Sequence, residues 1–161
     1  MNIRRALASE APALSALAFE SKAHWGYSAA QMGLWRKALT ISGSEIECSE
    51  TFTVEDNGTL LGFCSLHRKA KTLKIEHFWV APKHLRKGVG RVLMAACVDL
   101  AGRSGAERIE IDSDPHAEGF YLACGATRVG AVPAPIDGQP QRERPQLLLV
   151  TRSEHREKEP T

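Results

Sequence analysis

The chain has 161 residues, 43% hydrophobic and 25% charged, with a net charge of +2. These figures fit one globular domain with a sizeable core, and they exclude a chain that binds polyanions over its whole surface. No apolar run approaches the length of a membrane-spanning helix, so no membrane partner is expected. Met1-Asn2-Ile3-Arg4-Arg5 has neither the apolar stretch nor the cleavage site of an export signal, which makes the cytoplasm the expected compartment.

In chain order, residues 2–6 read as a short first strand. Ser9 is a candidate N-cap with Pro12 in the first turn, and Leu14, Leu17 and Ala18 recur at helical spacing to about residue 23. Ser28 with Gln31 fits a capping box, and Met32, Trp35 and Leu39 give a second helix its apolar stripe. Residues 40–50 are polar and carry no clear period. Residues 51–56 alternate as a strand, Asn57-Gly58 is a two-residue hairpin signal, residues 60–68 return, and residues 73–80 form a third strand that Pro82 ends. From Gly88 the period becomes helical through Val89, Val92, Leu93, Ala96 and Leu100, until Gly102 and Gly105. A strand at 106–112, a helix capped by Asp114 and stopped by Gly125, and a strand at 126–132 follow. The stretch 133–144 is long for a compact domain and is a candidate functional loop. A last strand covers 146–151. Residues 1–151 therefore make one domain, and 152–161 a charged tail.

The stretch 73–91 is the centre of this order. A strand ends at Val80-Ala81-Pro82, a basic turn follows, and Gly88-Val89-Gly90 opens a helix. A glycine turn at a helix start presents backbone N–H groups and the positive end of the helix dipole to an anion. Lys83, Arg86, Lys87 and Arg91 add charge, so a phosphorylated ligand is expected. It is not a Walker A loop, because no Lys-Ser/Thr follows the glycines, nor a Rossmann fingerprint, because position 93 is leucine. The basic patch is short and has no interleaved aromatic, which argues against nucleic acid. Four cysteines without C-x-x-C spacing and six scattered histidines point to free thiols and no bound metal.

Val80-x-Pro82 followed by Leu85-Arg86-Lys87-Gly88-Val89-Gly90 resembles the core motif of the GNAT superfamily of N-acetyltransferases, with Leu85 at its usual Gln/Arg position. Asp112-x-Asp114-x-x-Ala117-x-x-Phe120-Tyr121-x-x-x-Gly125 resembles its second signature, with Asp114 for asparagine and Ala126 for phenylalanine. The resemblance covers nearly the whole chain. It implies an α+β fold: a mostly antiparallel sheet of six or seven strands with one splayed parallel pair, flanked by about four helices.

The resemblance also implies acetyl-CoA as cosubstrate and no metal. Arg86, Lys87, Gly88, Val89, Gly90 and Arg91 would surround the pyrophosphate. Phe78, Trp79 and Val80 would hold the thioester end, with the Val80 N–H facing the acetyl oxygen, and Asp114 falls on the cofactor side. Tyr121 matches the tyrosine that protonates the departing sulfur. Period-2 alternation puts Glu76 on one face with Phe78 and Val80, where it can meet and deprotonate the amine; His24 and His116 are weaker bases. Trp25 and Tyr27 are acceptor-side candidates, and Arg142 and Arg144 could face an acidic acceptor. The acceptor is a small-molecule or peptide amine, and homodimers are common in the family. The alternative is a non-catalytic acyl-CoA-binding module of the same fold.

Overall fold

The structure, a computed structural model, describes residues 1–151; the charged tail expected at 152–161 lies outside the described residues. The chain runs β1 (Asn2–Arg5), α1 (Ala11–Ala23), α2 (Ala29–Leu39), α3 (Gly43–Cys48), β2 (Glu50–Asp56), β3 (Thr59–Lys69) and β4 (Thr72–Val80). It continues through α4 (Val89–Ser104), β5 (Arg108–Asp112), α5 (Glu118–Ala123), β6 (Thr127–Pro133) and β7 (Glu143–Val150). One seven-stranded sheet has the order β1-β2-β3-β4-β5-β7-β6. Every neighbouring pair is antiparallel except β4–β5, which is parallel. This is the mixed sheet with one parallel pair that the motifs imply.

Local chemistry sets the element ends. Asn57 and Gly58 sit at φ 48° and 80°, the paired positive values of a tight hairpin turn. The Ser28 hydroxyl accepts the Gln31 N–H at 3.1 Å and starts α2. Ser9 does not cap α1. Glu10 instead accepts the Leu7 N–H at 2.8 Å and chelates Arg4, so the chain enters through a 3-10 turn at Ala8–Glu10. The extra helix, α3, carries a capping box: Ser42 Oγ accepts the Glu45 N–H at 3.1 Å, and the Ser42 N–H donates to Glu45 at 2.7 Å.

The central strands of the sheet are covered on both faces, whereas β6 is exposed along its length. On one face, Val89, Leu93, Cys97 and Leu100 of α4 pack with Tyr121 of α5 against Val54, Leu66, Leu73, Ile109 and Leu147. On the other, Leu14, Leu17 and Ala18 of α1 pack with Met32 and Leu39 of α2 around Phe63. Cys64 and Cys97 are free, buried and 3.7 Å apart in the first core. No helix among the described residues is long and apolar enough to cross a membrane.

Two irregularities in β4 position the site. Its parallel pairing with β5 covers only Thr72↔Arg108, Leu73↔Ile109 and Lys74↔Glu110, although both strands continue. Beyond Lys74 the two strands splay. On its other edge, Leu66 pairs with Ile75 while the adjacent Ser65 pairs with His77, so Glu76 is the extra residue of a β-bulge.

Candidate active site

Beyond Lys74 the splay leaves the β5-facing edge of β4 without a strand partner among the described residues. The Ala81 N–H donates to Leu61 O at 2.8 Å, across to β3. N–H groups alternate between the two edges of a strand, so the Val80 N–H points the other way, into the gap that β5 leaves. Six residues after Val80 the chain makes its glycine turn, with Arg86 at φ 59° and Gly88 at φ 86°. None of the N–H groups from Arg86 to Arg91 reaches a protein acceptor among the described residues. Those of Val89, Gly90 and Arg91 belong to the first turn of the sixteen-residue α4 and carry its dipole.

A cavity of about 530 Å³ joins these parts. Phe78, Trp79 and Val80 line one side, the turn lines another through Leu85, Arg86, Gly88, Gly90 and Arg91, and Phe120 and Tyr121 close it. Gly90 is required here by contact: a Cβ would stand 3.0 Å from the Phe120 ring. Tyr121 packs edge-on to Phe78 at 5.6 Å and Phe120 at 5.3 Å. Burial pushes its phenol well above the ordinary value, and the nearby Cys97 and Cys64 act in the same direction. The hydroxyl therefore keeps its proton, as a donor must.

A second cavity of about 430 Å³ lies against the first. Ile75, Glu76, Trp79, Asp112 and Asp114 line both. Trp35 of α2, together with Ala134, Pro135 and Ile136 of the β6–β7 loop, completes its walls. Glu76 is exposed at the junction and forms no hydrogen bond or ion pair among the described residues. Its neighbour His77 accepts the Trp79 indole N–H at 3.1 Å, and burial holds the imidazole below its ordinary pKa.

Asp114 ties the two cavities together. Its Oδ2 accepts from Lys22 Nζ at 2.5 Å, Tyr27 OH at 2.8 Å and Arg142 Nη2 at 3.4 Å. Its Oδ1 meets both the backbone N–H and the Nδ1 of His116, each at 2.8 Å. Burial alone would raise this carboxyl. The charge and hydrogen bond of Lys22, with the donors from His116 and Tyr27, outweigh it and hold the pKa down at about 2. Lys22 is nevertheless lowered, because burial and the nearby Arg142 and Arg144 outweigh its attraction to Asp114. The asymmetry has a plain cause: burial of the ammonium comes first, and the cations beside it add to it.

A model described as the acetyltransferase (GNAT) family matches residues 16–126. The chain belongs to that family. Over 93 residues it is 32% identical to the peptidyl-lysine N-acetyltransferase YiaC of Escherichia coli, a stretch covering 57% of this chain and 61% of YiaC. Among solved structures it is similar to a GCN5-related N-acetyltransferase from Rhodopseudomonas palustris, with a TM-score of 0.74 and 20% identity over 92% of this chain and 94% of that one. It is likewise similar to the PaiA N-acetyltransferase of Thermoplasma acidophilum in complex with coenzyme A, with a TM-score of 0.71 and 18% identity over 92% and 98% of the two chains. The matched stretch spans less than two thirds of YiaC, and the fold of the whole chain is that of the solved GNAT structures.

In this GNAT-family chain most of the residues expected from sequence gather at one place, by differing means. Phe78, Trp79, Val80, Arg86, Gly88, Gly90, Arg91, Asp114 and Tyr121 line the first cavity. The Val89 side chain is buried in the core at 1% exposure, leaving only its N–H for a ligand, and Lys87 is exposed beside the turn rather than within the cavity wall. Trp25 lines the first cavity, stacked on His116 at 5.0 Å. Tyr27 lines neither cavity; its hydroxyl holds Asp114 and its ring packs on Trp35 at 4.7 Å. Lys22 is the residue that sequence reasoning passed over. It continues the Leu14, Ala18 register of α1 at four-residue spacing, and a lysine on an apolar stripe is a signal of a buried partner.

Proposed function

We propose that this protein moves the acetyl group of acetyl-CoA to a primary amine by direct attack, with both substrates bound. The observation that carries the reading is the splay: a free β4 edge at Val80 opens between an unpartnered N–H turn, a buried phenol and an exposed carboxylate. The cosubstrate supplies an acetyl group activated by its thioester. The turn from Arg86 to Arg91 binds the pyrophosphate through backbone N–H groups, with Arg86 and Arg91 adding charge-assisted bonds. Phe78 and Trp79 flank the thioester end.

Glu76 takes a proton from the acceptor ammonium, directly or through water, because an amine is mostly protonated at neutral pH. The amine nitrogen then bonds to the acetyl carbon as the carbon–sulfur bond breaks. The Val80 N–H faces the acetyl oxygen as negative charge develops on it. Tyr121 gives its proton to the sulfur, and the second proton that the nitrogen sheds as the amide forms restores the phenol through solvent. The acceptor enters through the second cavity, between Trp35, the β6–β7 loop and Glu76, and Trp25 and Tyr27 shape that side through His116 and Asp114. The compartment is the cytoplasm, the acceptor is a small-molecule or peptide amine, and no metal takes part.

Tyr121→Phe tests the reading. It should lower turnover by about 10²-fold while acetyl-CoA affinity stays within a few-fold. Unchanged turnover at saturating substrates would remove Tyr121 from the reaction.

A further inference from the structure

The wall of the second cavity carries more positive charge than its own carboxylates neutralise. Lys22, Lys74, Arg142 and Arg144 line it, against Glu76, Asp112 and Asp114. Arg144 is matched by Asp112 through two hydrogen bonds, at 2.9 and 3.2 Å. Lys74 is exposed on β4. That leaves Lys22 and Arg142, both on Oδ2 of Asp114. The Arg142 side chain is only 5% exposed. Its Nη1 donates to Ala134 O at 3.0 Å and its Nη2 to Tyr27 OH at 3.1 Å, while its Nε is buried without any partner. A buried guanidinium with an open donor is costly unless an anion completes it.

The aromatic surface here is already taken. Lys22 Nζ lies 4.4 Å from the centroid of the Trp35 ring, and the Arg142 guanidinium 5.3 Å from it. A polycationic acceptor would meet two like charges in place of an aromatic cage. The surplus is a single charge, which suits a carboxylate better than a doubly charged phosphate.

We propose that the acceptor carries a carboxylate, received by Arg142 and Lys22 while Glu76 faces its amine, so that the substrate is of the amino-acid class. This rests on the acetyl-transfer reading and names the substrate for that same site. The zwitterion offers its ammonium to Glu76 and its carboxylate to the surplus cation, which share the wall of this one cavity.

The test compares common L-amino acids with their own carboxamides, titrated calorimetrically into the protein with coenzyme A present and then assayed for thiol release from acetyl-CoA. A lysine peptide with blocked ends and spermidine complete the panel. At least one acid should bind about ten- to hundredfold tighter than its carboxamide. Arg142→Gln should abolish that ratio. Because Arg142 also anchors the β6–β7 loop, the acid-to-amide ratio in the unaltered protein is the primary readout. The inference is overturned if no acid binds above its amide, or if the blocked peptide or spermidine is the better acceptor. Acid preference without thiol release would keep the inference and sink the transfer reaction; thiol release without acid preference would do the reverse.

Discussion

Gly90→Ala isolates the contact between the glycine turn and the Phe120–Tyr121 end of the first cavity. The added Cβ would stand 3.0 Å from both Cε2 and Cζ of Phe120. Unstrained carbon–carbon contacts lie near 3.5–4.0 Å, so the ring must give by a few tenths of an ångström. It cannot do so freely, since it packs on Phe78 at 5.5 Å and Tyr121 at 5.3 Å. Overpacking of this kind costs about 1–3 kcal/mol, and alanine in place of glycine in a helix returns up to ~1 kcal/mol. The net loss is then about 0–2 kcal/mol, which at this size corresponds to a fall of a few degrees in melting temperature. Function should suffer more than stability, because the displaced ring pushes on Phe78 and Tyr121, and misplacement by about 1 Å can cost up to ~10²-fold in rate. The assay is a double-mutant cycle with Phe120→Leu, read by thermal melting and by coenzyme A calorimetry. Leucine removes the clashing edge, so the double variant should recover about 1–2 kcal/mol relative to the sum of the singles. Gly88→Ala is the internal control. Its Cβ meets nothing closer than Met1 at 3.8 Å, so its cost comes from the φ of +86° alone and Phe120→Leu should not relieve it. Additivity of Gly90→Ala with Phe120→Leu to within about 0.5 kcal/mol would refute the contact argument.

Gly88→Glu should abolish coenzyme A binding, because it strains the same φ and sets a carboxylate among N–H groups that face an anion; retained calorimetric affinity would count against the anion site. Glu76→Gln should cut turnover by about 10²–10⁴-fold with coenzyme A affinity unchanged. A fully active Glu76→Gln would move the base elsewhere, first to His116, whose Nδ1 Asp114 already holds. Asp114 also sets an acid limit on stability. Its carboxyl is ordinarily near 3.8 and is held at about 2 in the fold, so its contribution is complete above pH ~4 and is lost as the pH falls toward 2. With allowance for solvent screening this is about 1–2 kcal/mol, and Asp114→Asn should unfold with a shallower dependence on pH across that window in denaturant titrations. A parallel loss in both proteins would show that other carboxylates set the acid limit.

What could be read from the sequence followed rules of local chemistry. The Asn57-Gly58 turn, the Ser28 cap and the glycine start of α4 each rest on a few adjacent residues, and each stands where the sequence puts it; β2 forms as a strand, but Thr51, Phe52, Thr53 and Val54 are all buried, because both of its faces are covered. Helix α3 was legible too, since Ser42 and Glu45 have the spacing of a capping box, but the polar residues around them masked it. The Asp114 cluster was not. It joins Asp114 and His116 of one turn to Lys22 and Tyr27, at and just past the end of α1, and to Arg142 of the β6–β7 loop, and no pattern within one element announces a bond between residues 92 positions apart. Only the misplaced lysine on α1 gave a hint of it.

The bulge at Glu76 was equally silent, and it governs how the site is built. Strict alternation along β4 would put Ile75 and Val80 on opposite faces. In the structure Leu73, Ile75, Phe78 and Val80 all pack toward the α4 side, whereas Trp79 packs toward α1 and α2. Inserting one residue is what reconciles these facts, because a single-residue shift exchanges the two faces of a strand. The first half of β4 thus keeps its parallel register with β5 and anchors the core, while the second half turns a new set of groups outward from the same edge. Glu76 is the residue that absorbs the shift. It stands at the junction of both cavities, where neither α4 nor α1 covers it, and so it is left without a partner. The irregularity that frees the carboxylate also aims Phe78 and Val80 at the first cavity. In the mechanism proposed above, the proton acceptor and the thioester-facing edge both follow from this one distortion, and period-2 reasoning groups Glu76 with Phe78 and Val80 for a reason the backbone does not follow.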